Sequence, residues 1–478
     1  MLSFLSVQEQ QSRTRSRREF LRIGALGLTG LTLTDLLRAE QQAGIRSSTK
    51  AIINVHLDGG PPQLDTIDPK PAAPVEFRGE FLPIATALPG VQISELMPQV
   101  AQSAHRFTFL RTLVGSAGRH DAFQCQSGYR DRDLAAFGGR PALGCVVSKV
   151  LGSPEDQVPS FVDLMQGRPL VRNSARPGFL GPSFQPFRPD LSQMFRRELE
   201  AGMKGELARL GGDHTVSLSL NPDLSHRRLD DRRSLLQGLD RIRRQLDASG
   251  MMEAMDAFQQ QAVSILTSGR FADAMDLSQE DPALVQRYTA SVPGSGQQST
   301  TSEGPDATRK FLLARRLVEA GVRCVSVSVS DFDTHSSNFS RMKHLMPIVD
   351  HGLATLVSDL EERGLLDDVT IVAWGEFGRT PRINSKDGGR DHWPQVGPAI
   401  LAGGGMPAGQ VIGETDRIAG SAVSRPVHYK DVFATLYRNL GLDARSITIE
   451  DPQGRPQYLL DEGDPVPELS RDRAFSVS

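Results

Sequence analysis

The chain has 478 residues, a net charge of −3 and a pI near 6.4, with 38% hydrophobic and 23% charged residues. That length can bury a large α/β core, as one domain or two, and the lack of a basic field argues against nucleic acid as a partner. Cys125, Cys145 and Cys324 are too few for a disulfide framework, and no CxxC pair suggests a zinc knuckle.

The N-terminus reads "SRREFLRIGALGLTGLTLTDLL", with Arg17-Arg18 before Phe20-Leu21 and an apolar, Gly-rich run from Ile23 to Leu33. The run is too short to span a bilayer, and with basic residues ahead of it reads as a signal-peptide core. The paired arginines of S-R-R-x-F-L resemble a twin-arginine export signal. Residues 1–47 are therefore expected to engage the twin-arginine machinery and send the protein to the periplasm or outside the cell. The competing reading is an amphipathic N-terminal helix. No other stretch is apolar for long enough to cross a membrane.

From Lys50, a strand-like run (Ala51 to Leu57) breaks at Asp58-Gly59-Gly60-Pro61-Pro62. Residues 94–114 read as a helix and then a short strand, "RFTFLRTLV", followed by the polar, Gly-bounded "GSAGRHDAFQCQSGYR". From about 190 to 285 the pattern turns helical and strongly charged, and "SVPGSGQQSTTSEGPDA" (291–307) reads as a low-complexity loop closing this insertion. "TRKFLLARRLVEAGV" is then a helix, "RCVSVSVS" a strand and "IVDHGLATLVSDLEERGLL" a helix. After them come the strands "DVTIVAW" and "PAILAGGGM" and the closing helix "YKDVFATLYRNLGL". This alternation predicts an α/β fold, a mostly parallel sheet with helices on both faces. One domain over 48–445 is expected, split by a helical insertion over about 190–305 and followed by a C-terminal tail, 446–478.

Groups able to hold a metal fall just after the strands. Asp58 follows the first; Asp331, Asp333 and His335 follow "RCVSVSVS"; Glu376 follows "DVTIVAW", whose Gly-rich loop closes with Arg390, Asp391 and His392. In a parallel sheet the carboxyl ends point one way, so these groups can converge from distant positions. Carboxylates with imidazole suit Zn, Mn or Fe better than Ca. The bland alternatives are an N-cap for Asp333, a surface pairing with Arg379 for Glu376, and a satisfied buried histidine for His392. The convergent reading expects Asp333, His335, Glu376 and His392 around one metal, with Asp58 as a fifth group and Asp391 orienting its neighbour or an arginine.

The chain resembles the bacterial, planctomycete-type domain-of-unknown-function family 1501, a sulfatase-like family. The matching residues are "SRREFLRIG", "DGGPPQLDTIDPKP" with "FRGEF", "FDTHSSNF", "GEFGRTPRIN" with "GGRDHWP", and "YKDVFATLYRNLGL". The resemblance implies the alkaline phosphatase and sulfatase superfamily, whose α/β sheet carries metal at its strand ends. It implies Asp58 as the acidic group after the first strand, with Asp65 as fallback. It further implies Asp333 and His335 with Asp331 as rival, Glu376 from the next strand, and His392 downstream. Phe377 stands where a further metal ligand would be. No C/S-x-P-S/A-R nucleophile motif is present. Matching "QSG" to the sulfatase T-G pair leaves His120, Asp121, Ser116 and Ser127 as what that segment offers, and Cys125 reads as a small core residue. Arg379 and Arg390 are candidates to clamp an anionic oxygen pair; the alternative for both is capping of loop carbonyls. The implied function is a metal-dependent hydrolase of sulfate or phosphate esters, acting on a small anionic ester or a sulfated polysaccharide. A non-catalytic exported scaffold or binding protein with a degraded site is the alternative.

Overall fold

The run Ala51–Leu57 is buried at every position and forms the central strand, β1, of the computed structural model. The structure describes residues 50–120, 123–130, 139–165, 175–189, 191, 265, 268–290 and 303–470. The expected export signal, Asp121 and most of the expected helical insertion lie outside them. The described residues belong to one unit, Thr49–Ser478.

After β1 come β2 (Phe107–Val114), β3 (Phe161–Asp163), β4 (Cys324–Val329), β5 (Val369–Trp374), β6 (Gly378–Arg379), β7 (His392–Trp393), β8 (Gly397–Gly403), β9 (Gln410–Ile412) and β10 (Val427–His428). The main sheet runs β9-β2-β8-β5-β1-β4-β3, with β10 also on β2. β1 is parallel to β4 and β5, β3 to β4, and β9 and β10 to β2. β8 alone runs antiparallel to both of its neighbours, β2 and β5. The sheet is thus mostly parallel, as the strand–helix alternation predicts, with one reversed strand that the sequence pattern does not reveal.

Helices cover both faces. The side chains of β1 alternate, so Ile53, Val55 and Leu57 join one core while Ile52 joins the other. The first core lies under α2 (Arg309–Ala320) and α3 (Asn338–Glu362), the second under α1 (Leu143–Leu151) and α4 (Tyr429–Asn439). Each fully buried Val, Leu or Ile contributes about 1.5–3 kcal/mol. α3 begins ten residues before the expected start at Ile348 and runs through Pro347. Its buried residues, from Met342 and Leu345 through Ile348 and Val349, offset the backbone bond that proline cannot make. The segment expected as a tail, 446–478, instead contributes Leu459, Leu460, Val466 and Leu469 to the second core.

One further contact bears on stability. The short helix Pro98–Gln102, just before β2, has no side-chain cap at its own N-terminus. Asp350, buried on α3, supplies it across the core, accepting from Val100 N at 2.8 Å and Gln99 N at 3.1 Å.

Candidate metal centre

The parallel register sets Leu57 beside Val329 and His56 beside both Ser328 and Trp374, so β1, β4 and β5 end together. The loops that leave them touch. Gly59 has φ +106°, and a Cβ there would lie 2.2 Å from Asp333 N, so only glycine fits this crossing. Phe332 N donates to Asp58 O at 2.9 Å, and Gly59 N to Glu376 Oε1 at 3.0 Å. After β5 the chain forms the two-residue ladder β6–β7, in which Arg379 pairs with His392 and returns the histidine to the site. At Gly389 a Cβ would lie 1.9 Å from His335 O, so this loop also seats its backbone against the Asp333–His335 segment.

Two groups of donors result. The outer one holds His120, Asp333, His335 and His392. His335 Nε2 and His392 Nε2 face each other at 3.0 Å, with Asp333 Oδ1 at 3.2 and 3.5 Å from them. His120 Nε2 lies 3.1 Å from Asp333 Oδ2. His335 Nδ1 is 2.6 Å from Asp391 Oδ1, and His392 Nδ1 donates to Gly118 O at 3.0 Å. With a proton on each Nδ1, the two Nε2 lone pairs would face each other across 3.0 Å, beside a carboxylate oxygen. Such a set of acceptors attracts a cation. Asp391, expected to orient its neighbour or an arginine, instead meets His335, whose imidazole holds its carboxyl below the usual range.

The inner group holds His56, Asp58 and Glu376, all buried. His56 Nε2 is 3.6 Å from both Asp58 Oδ1 and Glu376 Oε2, beyond hydrogen-bond reach. Neither ring nitrogen of His56 has a hydrogen-bond partner, nor has Glu376 Oε2. Burial opposes protonation of His56, but the two carboxylates outweigh it and raise its pKa.

His120 joins the groups, with Nδ1 2.8 Å from Glu376 Oε1 and Nε2 on Asp333. Burial lowers its pKa; the hydrogen bonds to Asp333 and Glu376 more than reverse this and raise it to about 9. Burial would raise the Asp333 pKa, but His120, His392 and Arg379 drive it far below the usual range.

The residues expected around one ion divide between the two groups, Asp333, His335 and His392 in the outer one and Glu376 in the inner. Glu376 turns inward to Asp58 because its Oε1 accepts the Gly59 N–H, and His120 replaces it in the outer group. Asp333 rather than Asp331 belongs to that group, and Asp65 pairs with Arg390 instead of replacing Asp58. His56 was missed because it lies inside an apolar strand.

Arg379 and Ser127, expected in catalytic roles, both have their side chains engaged by the protein itself. Arg379 is fully buried. Its Nε donates to Gly60 O at 3.1 Å, Nη1 to Arg390 O at 3.0 Å, and Nη2 to Gly59 O and, at 2.8 Å, to Asp333 Oδ1. Three loop carbonyls and the Asp333 carboxylate thus accept from it, and it positions Asp333. Arg390, equally buried, is held by Asp65 and the carbonyls of Phe77, Thr380 and Pro381. Ser127 Oγ donates within its own turn to Phe123 O at 3.2 Å, Ser116 Oγ to Glu376 O at 2.7 Å, and Cys125 is a buried thiol whose pKa burial pushes well up.

The donors fit a divalent ion. Ligands about 2.1 Å from one tetrahedral ion lie about 3.4 Å apart, and the contacts among His335, His392 and Asp333 run from 3.0 to 3.5 Å. The buried atoms of His56 and Glu376 that lack partners point the same way. Imidazole with carboxylate is a donor set for Zn, Mn or Fe.

No curated protein matches the chain. Among solved structures it is similar to a phosphonate monoester hydrolase of Agrobacterium radiobacter, at 14% identity over 88% of this chain and 77% of that one, with a TM-score of 0.35. It is also similar to PsFucS1, a sulfatase from a Pseudoalteromonas species, at 12% identity over 90% of this chain and 72% of that one, with a TM-score of 0.36. The family described as "Protein of unknown function (DUF1501)" matches residues 49–470, nearly everything beyond the expected signal, and the chain belongs to it.

Proposed function

We propose that the protein is an exported, metal-dependent hydrolase of sulfate or phosphate esters. The observation that supports this most is the outer group, in which opposed imidazole nitrogens share a carboxylate at an accessible strand-end site. Asp333, His335 and His392, with His120, would hold the ion, which when bound supplies Lewis-acid polarisation of an ester oxygen. Asp391 and Asn384 orient His335, Asn384 Nδ2 donating to His335 O at 2.9 Å. Arg379 fixes Asp333, and Phe377 packs its ring centroid 4.3 Å from that of His392. His120 holds a proton at Nδ1 against Glu376.

The expected substrate is an anionic ester, a small molecule or a sulfated polysaccharide. The hydroxyls of Ser116 and Ser127 are committed to backbone carbonyls, which favours direct attack by water over a serine ester intermediate. The same commitment also favours the second reading, a non-catalytic exported scaffold or binding protein. Export rests on Arg17-Arg18 and the apolar run behind them. Among the described residues no helix is long and apolar enough to cross a membrane.

Elemental analysis of the protein purified after export, alongside a panel of aryl sulfates and phosphate mono- and diesters, tests the proposal. Stoichiometric metal and turnover that Asp333→Asn abolishes are expected. Bound metal without turnover of any ester would favour the scaffold.

A further inference from the structure

We infer that Asp65 is a positioning residue for the strand-end site: its buried carboxylate holds the loop of Asp333 and His335 in register with the loop of Asp391 and His392. This rests on the reading of the outer group as a metal centre, yet the register belongs to the metal-free chain and can be read there.

Asp65 lies in the turn that follows β1, where its N–H donates to Pro62 O at 3.2 Å. It has no solvent exposure, and neither have its two side-chain partners, Asn338 and Arg390. A buried carboxylate persists only where it is paired and hydrogen-bonded, and that of Asp65 is fully committed. Oδ2 accepts from Asn338 Nδ2 at 2.8 Å and from Arg390 Nε at 2.9 Å, while Oδ1 accepts from Arg390 Nη2 at 3.3 Å.

Each partner governs one loop. Asn338, the first residue of α3, accepts the Thr334 hydroxyl on Oδ1 at 2.7 Å, and Thr334 stands between Asp333 and His335. Arg390 directly precedes Asp391 and His392, and the carbonyls of Thr380, Pro381 and Phe77 fix its guanidinium further. Its own N–H donates to Thr334 O at 2.8 Å. Asp65, Asn338, Thr334 and Arg390 thus close a ring, and neither loop can slide past the other without breaking one of these bonds.

The outer group depends on that alignment because its donors come from both loops. His335 Nε2 meets His392 Nε2 at 3.0 Å, and His335 Nδ1 meets Asp391 Oδ1 at 2.6 Å. A slip of about 1 Å would carry the first pair past the roughly 3.4 Å that separates two ligands of one ion. Asparagine at 65 would keep the Oδ2 bonds but turn its amide N–H groups on Arg390 Nη2, donor against donor.

The test uses the full-length protein with ¹⁵N-labelled histidine, stripped with EDTA, at a temperature where thermal melts show every variant folded. Zinc titration by calorimetry reads the outer group, and ring-nitrogen NMR of the stripped chain reads His335 and His392, assigned through His335→Gln and His392→Gln. Asp65→Ala should weaken zinc binding by about tenfold, at the low end for residues that orient ligands, and should shift the ring signals of both histidines. Asp65→Asn should fall between Asp65→Ala and wild type, and Asn338→Ala should shift chiefly His335. If Asp65→Ala does not fold, Asp65→Asn and Asn338→Ala carry the test. A lowered Tm with zinc affinity and both ring signals unchanged would make Asp65 a stabilising residue only, overturn the inference and leave the metal centre standing. A wild type that takes up no zinc removes the metal centre, whereas ring signals that still shift in the Asp65 variants uphold the register.

Discussion

Asp350 gives the fold a pH dependence that can be worked out in advance. Its buried carboxylate caps the helix Pro98–Gln102 through two N–H bonds, and burial outweighs them, pushing its pKa from 3.8 up to about 6. A carboxyl whose folded pKa is raised holds its proton more tightly in the folded chain. Stability therefore falls as pH rises from 3.8 through 6, and below 3.8 the penalty is absent. A shift of about two units corresponds to about 3 kcal/mol, of which roughly 2.4 kcal/mol should appear between pH 4 and pH 7. Asp350→Asn keeps an acceptor for Val100 N and has no charge to desolvate, so the variant should gain on wild type by that amount across the range. In a chain this long the gain corresponds to about 2–3 °C in Tm. Matched thermal melts of the two proteins at pH 4 and pH 7 measure it, and other titrating groups cancel in the difference. A Tm difference that stays constant with pH would show that Asp350 is ionised in the fold at pH 4, and would refute the reasoning.

Arg379→Met leaves Asp333 without its buried guanidinium and should destabilise the fold by about 3 kcal/mol; it should also weaken zinc binding at the outer group, read by calorimetric titration, with Arg379→Lys in between. Asp391→Asn releases His335 from its orienting carboxylate and should cost about 10–100-fold in outer-site affinity, read by zinc titration. Replacing Arg17 and Arg18 together by Lys should trap the protein in the cytoplasm, seen by fractionation; unchanged export would rule out the twin-arginine route.

The sheet was legible because β-branched, apolar runs alternate with helical periodicity, and Asp58, Asp333, His335, Glu376 and His392 were legible because they follow those runs. How they divide was not. Glu376 goes inward on account of one backbone N–H, that of Gly59, which no spacing encodes. His56 was hidden because alternation along β1 marks it only as a residue on the same face as Ile52 and Asn54, and the lack of any partner shows only in three dimensions. Arg379 and Arg390 looked like anion ligands in a polar loop; their burial against Gly59, Gly60 and Phe77 carbonyls depends on how distant loops stack. Ser127 was singled out because "QSG" invites comparison with a nucleophile segment; that its hydroxyl closes a local turn shows only in the fold.

The reversed direction of β8 has a consequence for how this site can change over time. A crossover to a parallel neighbour would carry the chain to the far end of the sheet, but β8 starts where β5 stops, with Ala399 paired to Trp374. The segment 375–396 is therefore a cassette with both feet on adjoining strands, and it delivers Glu376, Arg379, Asp391 and His392 together. Its tip, at Ser385 and Lys386, is exposed. Residues can be inserted or exchanged there without shifting either foot, so relatives can alter the rim above His335 and His392 while the sheet beneath is inherited unchanged.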